Sequence, residues 1–331
     1  MEELLAGLRA AAEATRIRIL FILSHGEFNV SELTQILGQS QPRVSRHLKL
    51  MVEAGLVTRH KEGNWVLFRL REEDLGGALS RAIVDLLPGD ESDLARDLTR
   101  LEDVRTARAE AAARYFRDNA GQWERLRSLH VREEDVDAAM LRLAGSAPIR
   151  LLVDLGTGTG SVLRSFARHA TQAIGIDSSR EMLAIARAKM EKSGHRHIQV
   201  RHGDIYALPF ADASADAVTI HQVLHFLDDP GRVLNEAARI LQPGGRLLIT
   251  DFAPHDMEQL RSEHAHRRLG IAAEHMSHWL QRAGLSLTQH DILSPPWRKE
   301  GTGLTVSLWL AAKPAAAAAQ PTINAKSDNS P

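Results

Sequence analysis

The segment that most constrains this chain is Asp154-Leu155-Gly156-Thr157-Gly158-Thr159-Gly160. It follows an apolar run at residues 151–153 and precedes a second one, Ile174-Gly175-Ile176, that ends in Asp177. Glycines without a Cβ adopt positive φ freely and let backbone approach a ligand closely. The pattern predicts strand, glycine loop and helix, with the helix starting near Thr159 and its positive N-terminal end facing the same ligand. Asp177 lies about 20 residues beyond the loop, where a doubly wound sheet presents a carboxylate to ribose hydroxyls.

A glycine loop plus an acid also describes dinucleotide enzymes. Their fingerprint needs a glycine at the sixth position, which here is Ser161 counted from Gly156 and Leu163 counted from Gly158. The pattern D-x-G-x-G-x-G instead resembles motif I of the class I S-adenosylmethionine-dependent methyltransferases. The rest of that family's pattern follows in order. Gly203-Asp204-Ile205 resembles the adenine-contacting segment, and residues 216–221 resemble the fourth strand, which ends beside the reacting methyl. Leu241-Gln242-Pro243-Gly244-Gly245-Arg246 resembles the turn before the fifth strand, residues 247–251. The resemblance implies S-adenosylmethionine as cofactor, S-adenosylhomocysteine as product and no metal. It implies contacts from Asp154, Gly156, Thr157, Gly158, Gly160, Asp177, Ser178, Met182, Asp204, Ile205 and His221. Met182 reads equally well as a core methionine. The expected fold is α/β: a Rossmann-like seven-stranded sheet with five parallel strands, then residues 285–293 and 302–311, the last antiparallel.

At 331 residues the chain has room for two domains, and 44% hydrophobic with 25% charged residues is ordinary for a soluble protein. With no cysteine, disulfides, thiolate metal sites and cysteine nucleophiles are excluded. The apolar run at residues 19–23 is too short for a signal or membrane-spanning segment, so a cytoplasmic protein without a membrane partner is expected. The net charge of -1 hides a local excess. Arg43, Arg46, Lys49, Arg59, Lys61, Arg69 and Arg71 stand against Glu53 and Glu62, a balance able to neutralise phosphates.

That basic stretch lies in a helix, turn, helix, hairpin pattern. Residues 15–23 are a helical apolar run. Residues 30–37 form a short amphipathic helix with Ser31 as expected N-cap, and Gly38-Gln39-Ser40 breaks it. A second helix over residues 41–54 carries Pro42 in its first turn and turns Val44, Leu48 and Met51 or Val52 inward. Two strands joined through Lys61-Glu62-Gly63-Asn64 complete a winged helix-turn-helix (α+β). The stretch resembles the ArsR-type repressors in residues 11–20, in Ser45-Arg46-His47-Leu48-Lys49 and in Glu53-Ala54-Gly55-Leu56-Val57. The resemblance implies a homodimer reading a palindromic double-stranded DNA operator. Ser40, Gln41, Arg43, Ser45, Arg46, Lys49, Arg59 and Lys61 are the expected DNA contacts. Metal-sensing members of that family carry a cysteine pair where this chain has Asn29 and Ser31 in Glu27-Phe28-Asn29-Val30-Ser31-Glu32-Leu33, so soft-metal sensing is chemically excluded. The bland alternative is a degenerate dimerisation module.

The expected divisions are residues 1–87 (winged helix), 88–145 (helical linker or cofactor lid), 146–313 (methyltransferase domain) and 314–331 (disordered tail). Pro88-Gly89-Asp90 marks the first boundary. Arg105, Arg108, Glu110 and Arg114 read as a solvated helix face. Tyr115, Phe116 and Trp123 belong either to a lid or to core packing. His221 and His225 are the candidate general bases, each open to a purely structural role, and Asp251, His255 and Asp256 lie near the same strand ends. Glu263-His264-Ala265-His266, His275 and His278 lack zincin spacing and read as an acceptor-side cap, with the two histidines on different faces of a helix. The expectation is a DNA-binding regulator whose methyltransferase domain senses a ligand, methylates a small molecule, or does both. The alternative is a purely catalytic enzyme whose winged helix only dimerises.

Overall fold

The N-terminal elements follow from local signals. In a computed structural model describing residues 1–62, 65–71, 74–88, 91–123, 132–294 and 304–315, helices α1 (Glu2–Ala11) and α2 (Ala14–Leu23) precede a short strand β1 (Phe28–Asn29). Helix α3 (Val30–Leu37) and helix α4 (Gln41–Glu53) come next, then β2 (Val57–Glu62), β3 (Trp65–Leu70) and α5 (Asp74–Asp85). The N-cap of α3 is Asn29, not Ser31. Glu32 N–H donates to Asn29 Oδ1 and Asn29 N–H donates to Glu32 Oε2, each at 3.0 Å. A glutamate three residues after an asparagine closes this reciprocal box, which draws Val30 and Ser31 into the first turn. In α4, Val44, Leu48 and Met51 are buried at the expected spacing. The strands pair in the order β1-β3-β2. The Gly63-Asn64 turn, Gly89-Asp90 and the tail from residue 316 lie outside the described residues.

Helix α6 (Ser92–Asn119) joins the two halves of the molecule. At 1.5 Å per residue its 28 residues span about 42 Å. Its first half is not a free linker, because Leu101 and Val104 pack into the winged-helix core with Leu33, Ile36 and Leu37. Asp97 is fully buried and takes both arms of Arg18, Nε at 2.7 Å and Nη2 at 2.6 Å. Removing Arg18 would strand the buried Asp97 carboxylate at a cost of about 3–5 kcal/mol.

The second half of the chain builds a seven-stranded sheet in the order β6-β5-β4-β7-β8-β10-β9. The strands are β4 (Ile149–Leu155), β5 (Ala170–Asp177), β6 (Ile198–His202), β7 (Ala215–His221), β8 (Leu241–Phe252), β9 (Ser286–Leu293) and β10 (Val306–Ala312). The first five are parallel, and β10 runs antiparallel to both β8 and β9. Leu152, Ala173, Ala217 and Leu248 enter one apolar cluster, while Val153, Ile174, Val218 and Ile249 enter the other. Alternation of that kind buries both faces, which is why these strands read as continuous apolar runs. The helix after the glycine loop starts at Ser161, two residues later than expected, and is only five residues long (Ser161–Ser165). Positive φ at Gly158 (52°) and Gly160 (78°) keeps the preceding residues in turns. A helix this short lends little dipole to its N-terminal surroundings.

Candidate functional site

A cavity of ≈ 920 Å³ opens beyond the carboxyl ends of β4, β5 and β7, at the point where the strand order reverses. Doubly wound sheets place their ligands in such crevices. Asp154, Gly156, Thr157, Gly158, Asp177, Ser178, Met182, Asp204, Ile205 and His221 all line it. Asp177 ties the glycine loop to β5: Oδ2 accepts from Gly158 N–H and Oδ1 from Ser179 N–H, both at 2.8 Å. Burial pushes its carboxyl above the usual aspartate value despite these bonds. Each oxygen keeps a second lone pair for a ligand donor. Met182 is buried in the helix Arg180–Ser193 and also faces the cavity, so both of its readings describe it. Asp154 is buried and accepts from Thr219 Oγ1 at 2.7 Å.

Two expected site residues are not brought into the cavity wall. Gly160 packs against a helix instead: a Cβ there would stand 2.7 Å from Met190 Cε. Its small size lets the loop pack on the helix Arg180–Ser193. His225 is buried, and its Nδ1 donates to Asp251 Oδ1 at 2.6 Å. That carboxylate also accepts the backbone N–H groups of His225 and Phe252. The pair ties the turn after β7 to the end of β8, and His225 itself does not line the cavity. The triplet at residues 264–266 is likewise not helical, since the helix Glu258–Glu263 ends before it and Ala265 has φ +56°.

The opposite wall is aromatic. Phe116 and Trp123 line the cavity with Phe226 and His266. Ring centroids are 4.8 Å apart for Phe116–Phe226, 5.4 Å for Phe116–Trp123 and 5.1 Å for Phe226–His266. Tyr115 stands behind them, its hydroxyl hydrogen-bonded to His264 Nδ1 at 2.7 Å. Burial lifts its phenol to about 12, so it keeps its proton. Gln222, where the chain leaves β7, holds φ +55° at the cavity edge. Backbone strain of this kind clusters at ligand sites, and sequence gives no signal for it.

The winged helix supplies the cavity's third side, through Glu32 and Trp65. Arg108, expected on a solvated face, lies between Glu32 (Nε–Oε1 3.0 Å) and Asp228 (Nη1–Oδ1 3.1 Å). Arg267 pairs with the same Asp228. Glu27 gathers Arg69 at 3.6 Å, Arg268 at 3.8 Å and His60 at 3.9 Å. By contrast, Glu110 and Arg114 do form the exposed pair that their spacing suggests. Ser40, Gln41, Arg43, Ser45, Arg46, Lys49, Arg59 and Lys61 are all exposed. Among the described residues no group of three or more His, Asp or Glu could hold a metal ion, and no helix is long and apolar enough to cross a membrane.

Comparison with known proteins agrees with this division. Residues 13–59 match the family model described as bacterial regulatory protein, arsR family, and residues 153–249 match methyltransferase domain. The chain therefore carries an ArsR-family helix-turn-helix followed by a methyltransferase domain. An uncharacterized methyltransferase, YcgJ of Bacillus subtilis, is 30% identical over 118 residues, 35% of this chain and 47% of that protein. A demethylmenaquinone methyltransferase of Thermus thermophilus is 39% identical over 128 residues, 38% of this chain and 56% of that protein. The chain thus spans about half the length of these curated relatives. A chain of the Haloferax volcanii complex between the Trm112 methyltransferase activator and a methyltransferase shares the fold at TM-score 0.52. It is 23% identical, and the match covers 62% of this chain and 99% of that one.

Proposed function

We propose that this chain is a cytoplasmic, DNA-binding transcriptional regulator whose methyltransferase domain binds S-adenosylmethionine and S-adenosylhomocysteine. The observation that carries the reading is the shared cavity. Gly156, Gly158 and Asp177 form one wall of it, and Glu32 and Trp65 of the winged helix form another. The residues fit the cofactor: Gly156 (φ +70°) and Gly158 (φ +52°) bare their backbone, and Asp177 offers a carboxylate to the ribose. Ser178, Met182, Asp204 and Ile205 would hold the adenine. On the other side, the basic exposed faces of α4 and the wing fit a duplex. Leu5 and Leu8 on α1 and Leu75 on α5 are exposed, and these two helices pack together, which fits a homodimer through that face.

Isothermal titration with both ligands, paired with mobility shifts on DNA, tests the reading. Regulation requires the ligand to favour one of the DNA-competent and DNA-incompetent arrangements. Binding of at least one ligand together with a shift in DNA affinity is expected. No shift with either ligand would defeat the sensory role. No DNA binding at all would favour the enzyme whose winged helix only dimerises.

The aromatic wall favours a second, compatible activity: methylation of a small acceptor with a flat ring. When bound, the cofactor's sulfonium supplies an already activated methyl group. The chain would then hold the acceptor in line by stacking on Phe116 and Phe226. His221 or His266, both at the cavity, would take the acceptor's proton. Labelled methyl donor incubated with cell extract should give a methylated small molecule, and a blank result would leave ligand sensing alone.

A further inference from the structure

The two domains meet at a junction that belongs at once to the cavity and to the DNA-reading elements. On the winged-helix side stand Glu27, just before β1, Glu32 in the first turn of α3, and the wing residues His60, Trp65 and Arg69. On the other side, Arg108 bridges Glu32 to Asp228, and Arg268 engages Glu27. The Arg261 guanidinium lies 4.5 Å over the Trp65 ring, and the His60 and His275 rings stand 5.8 Å apart. Glu32, Trp65, Arg108, Asp228, Arg261 and Arg267 also line the cavity. Any molecule filling that end of it therefore touches the junction directly.

The wing's own geometry makes this contact one-sided. Alternation along β2 exposes Arg59 and Lys61 while His60 turns to Glu27 and His275. One face of the wing is thus left free for phosphates, and the other is docked on the neighbouring domain, through His60 on His275 and Trp65 on Arg261. The loop that carries Arg267 and Arg268 runs from Ala265, which holds a left-handed conformation, to Gly270, where a Cβ would stand 2.2 Å from Ala253 O. Glu27 and Glu32 bracket the run in which Asn29 and Ser31 stand. Both carboxylates pair with cations from beyond the helix-turn-helix, Glu27 with Arg268 and Glu32 with Arg108.

We infer that Glu27 and Glu32, with the docked face of the wing, form the input surface through which the cavity's contents set the pose of the wing and hence DNA affinity. The ligand's role rests on the sensory reading above; the docked wing does not. Docking presets the wing in its DNA-competent pose, because it leaves Arg59 and Lys61 exposed. By linkage, a ligand that disturbs the junction weakens DNA binding by the factor by which DNA weakens that ligand.

The absence of cysteine allows a direct test in the full-length chain. A duplex selected by the parent chain from a random pool serves as probe, read by fluorescence anisotropy. His60→Cys with His275→Cys, bridged by oxidation or a short bis-maleimide, fixes the wing on the neighbouring domain. The bridged protein should bind the duplex like the parent, with its response to S-adenosylmethionine or S-adenosylhomocysteine lost. Failure of the folded double variant to bridge, loss of DNA binding once bridged, or an intact ligand response would each overturn the inference. Without ligand, Glu27→Gln combined with Arg261→Ala should free the wing and weaken the duplex at least about five-fold, the lower end of ordinary coupling. Unchanged affinity in that variant, with a parental melting profile, also overturns it. A parent chain that binds neither ligand by calorimetry defeats the sensory reading instead, and the ligand-free comparison still decides the docked wing.

Discussion

Replacing Asp177 by alanine removes more than a ribose contact. The carboxylate holds the N–H groups of Gly158 and Ser179 at 2.8 Å each, so it positions the loop that would meet the cofactor as well as the sugar. Leaving a buried N–H without its acceptor costs about 1–3 kcal/mol. Both N–H groups are only part-buried at the cavity, and the substitution also removes a carboxylate whose burial already opposes its charge. Stability should therefore fall only modestly. Affinity has no such offset. Losing charge-assisted bonds to the ribose costs on the order of 1.5–3 kcal/mol, roughly ten- to a hundred-fold for S-adenosylmethionine. Asp177→Asn keeps one acceptor oxygen but turns an amide toward a backbone donor, so it should fall between. The sign of the pH dependence follows from the raised carboxyl: the charged form that accepts the ribose is lost at a higher pH than for an ordinary aspartate. Calorimetric titration of parent and variants, with thermal melts beside it, measures all of this. If folded Asp177→Ala binds S-adenosylmethionine like the parent, the ribose site is elsewhere.

Four further outcomes are expected. Gly156→Val should destabilise the fold as well as abolish ligand binding, since even a Cβ there would lie 2.4 Å from Val223 Cγ2 at φ +70°. A melting temperature equal to the parent's would refute that steric account. His225→Ala should unfold more easily by about 3–5 kcal/mol in denaturant titration, because it strands the buried Asp251 carboxylate. A variant that keeps its stability but loses methyl transfer would restore a catalytic role. Arg43→Ala and Arg46→Ala should each reduce the salt slope of DNA binding by about one if the contact is to phosphate, or relax sequence preference if it is to guanine. The junction should loosen on acidification. Burial lowers the pKa of His60 and His275 among Glu27, Arg69 and Arg268, so the stability they contribute is present above their ordinary value of 6.5 and lost as pH falls through the lowered ones. Melts that do not change from neutral pH down to about 5 would contradict this.

Local patterns carried the fold a long way. The apolar runs at residues 151–153 and 174–176, the glycines between them and Asp177 mark out a strand–loop–strand unit, because strand burial and positive φ leave their trace in residue type. The period of Val44, Leu48 and Met51 did the same for α4. Periodicity reports that a side chain is covered without reporting by what. Gly156 and Gly160 are alike in sequence, yet one backs onto Val223 beside the cavity and the other onto Met190 in the core. His221 and His225 differ by one turn of chain, and only tertiary packing puts the first at the cavity and the second on Asp251. Arg108 finds Asp228 120 residues away. A charge on an amphipathic helix looks solvated until the other domain is placed against it, so the joint between the cavity and the winged helix was decided by the tertiary structure alone.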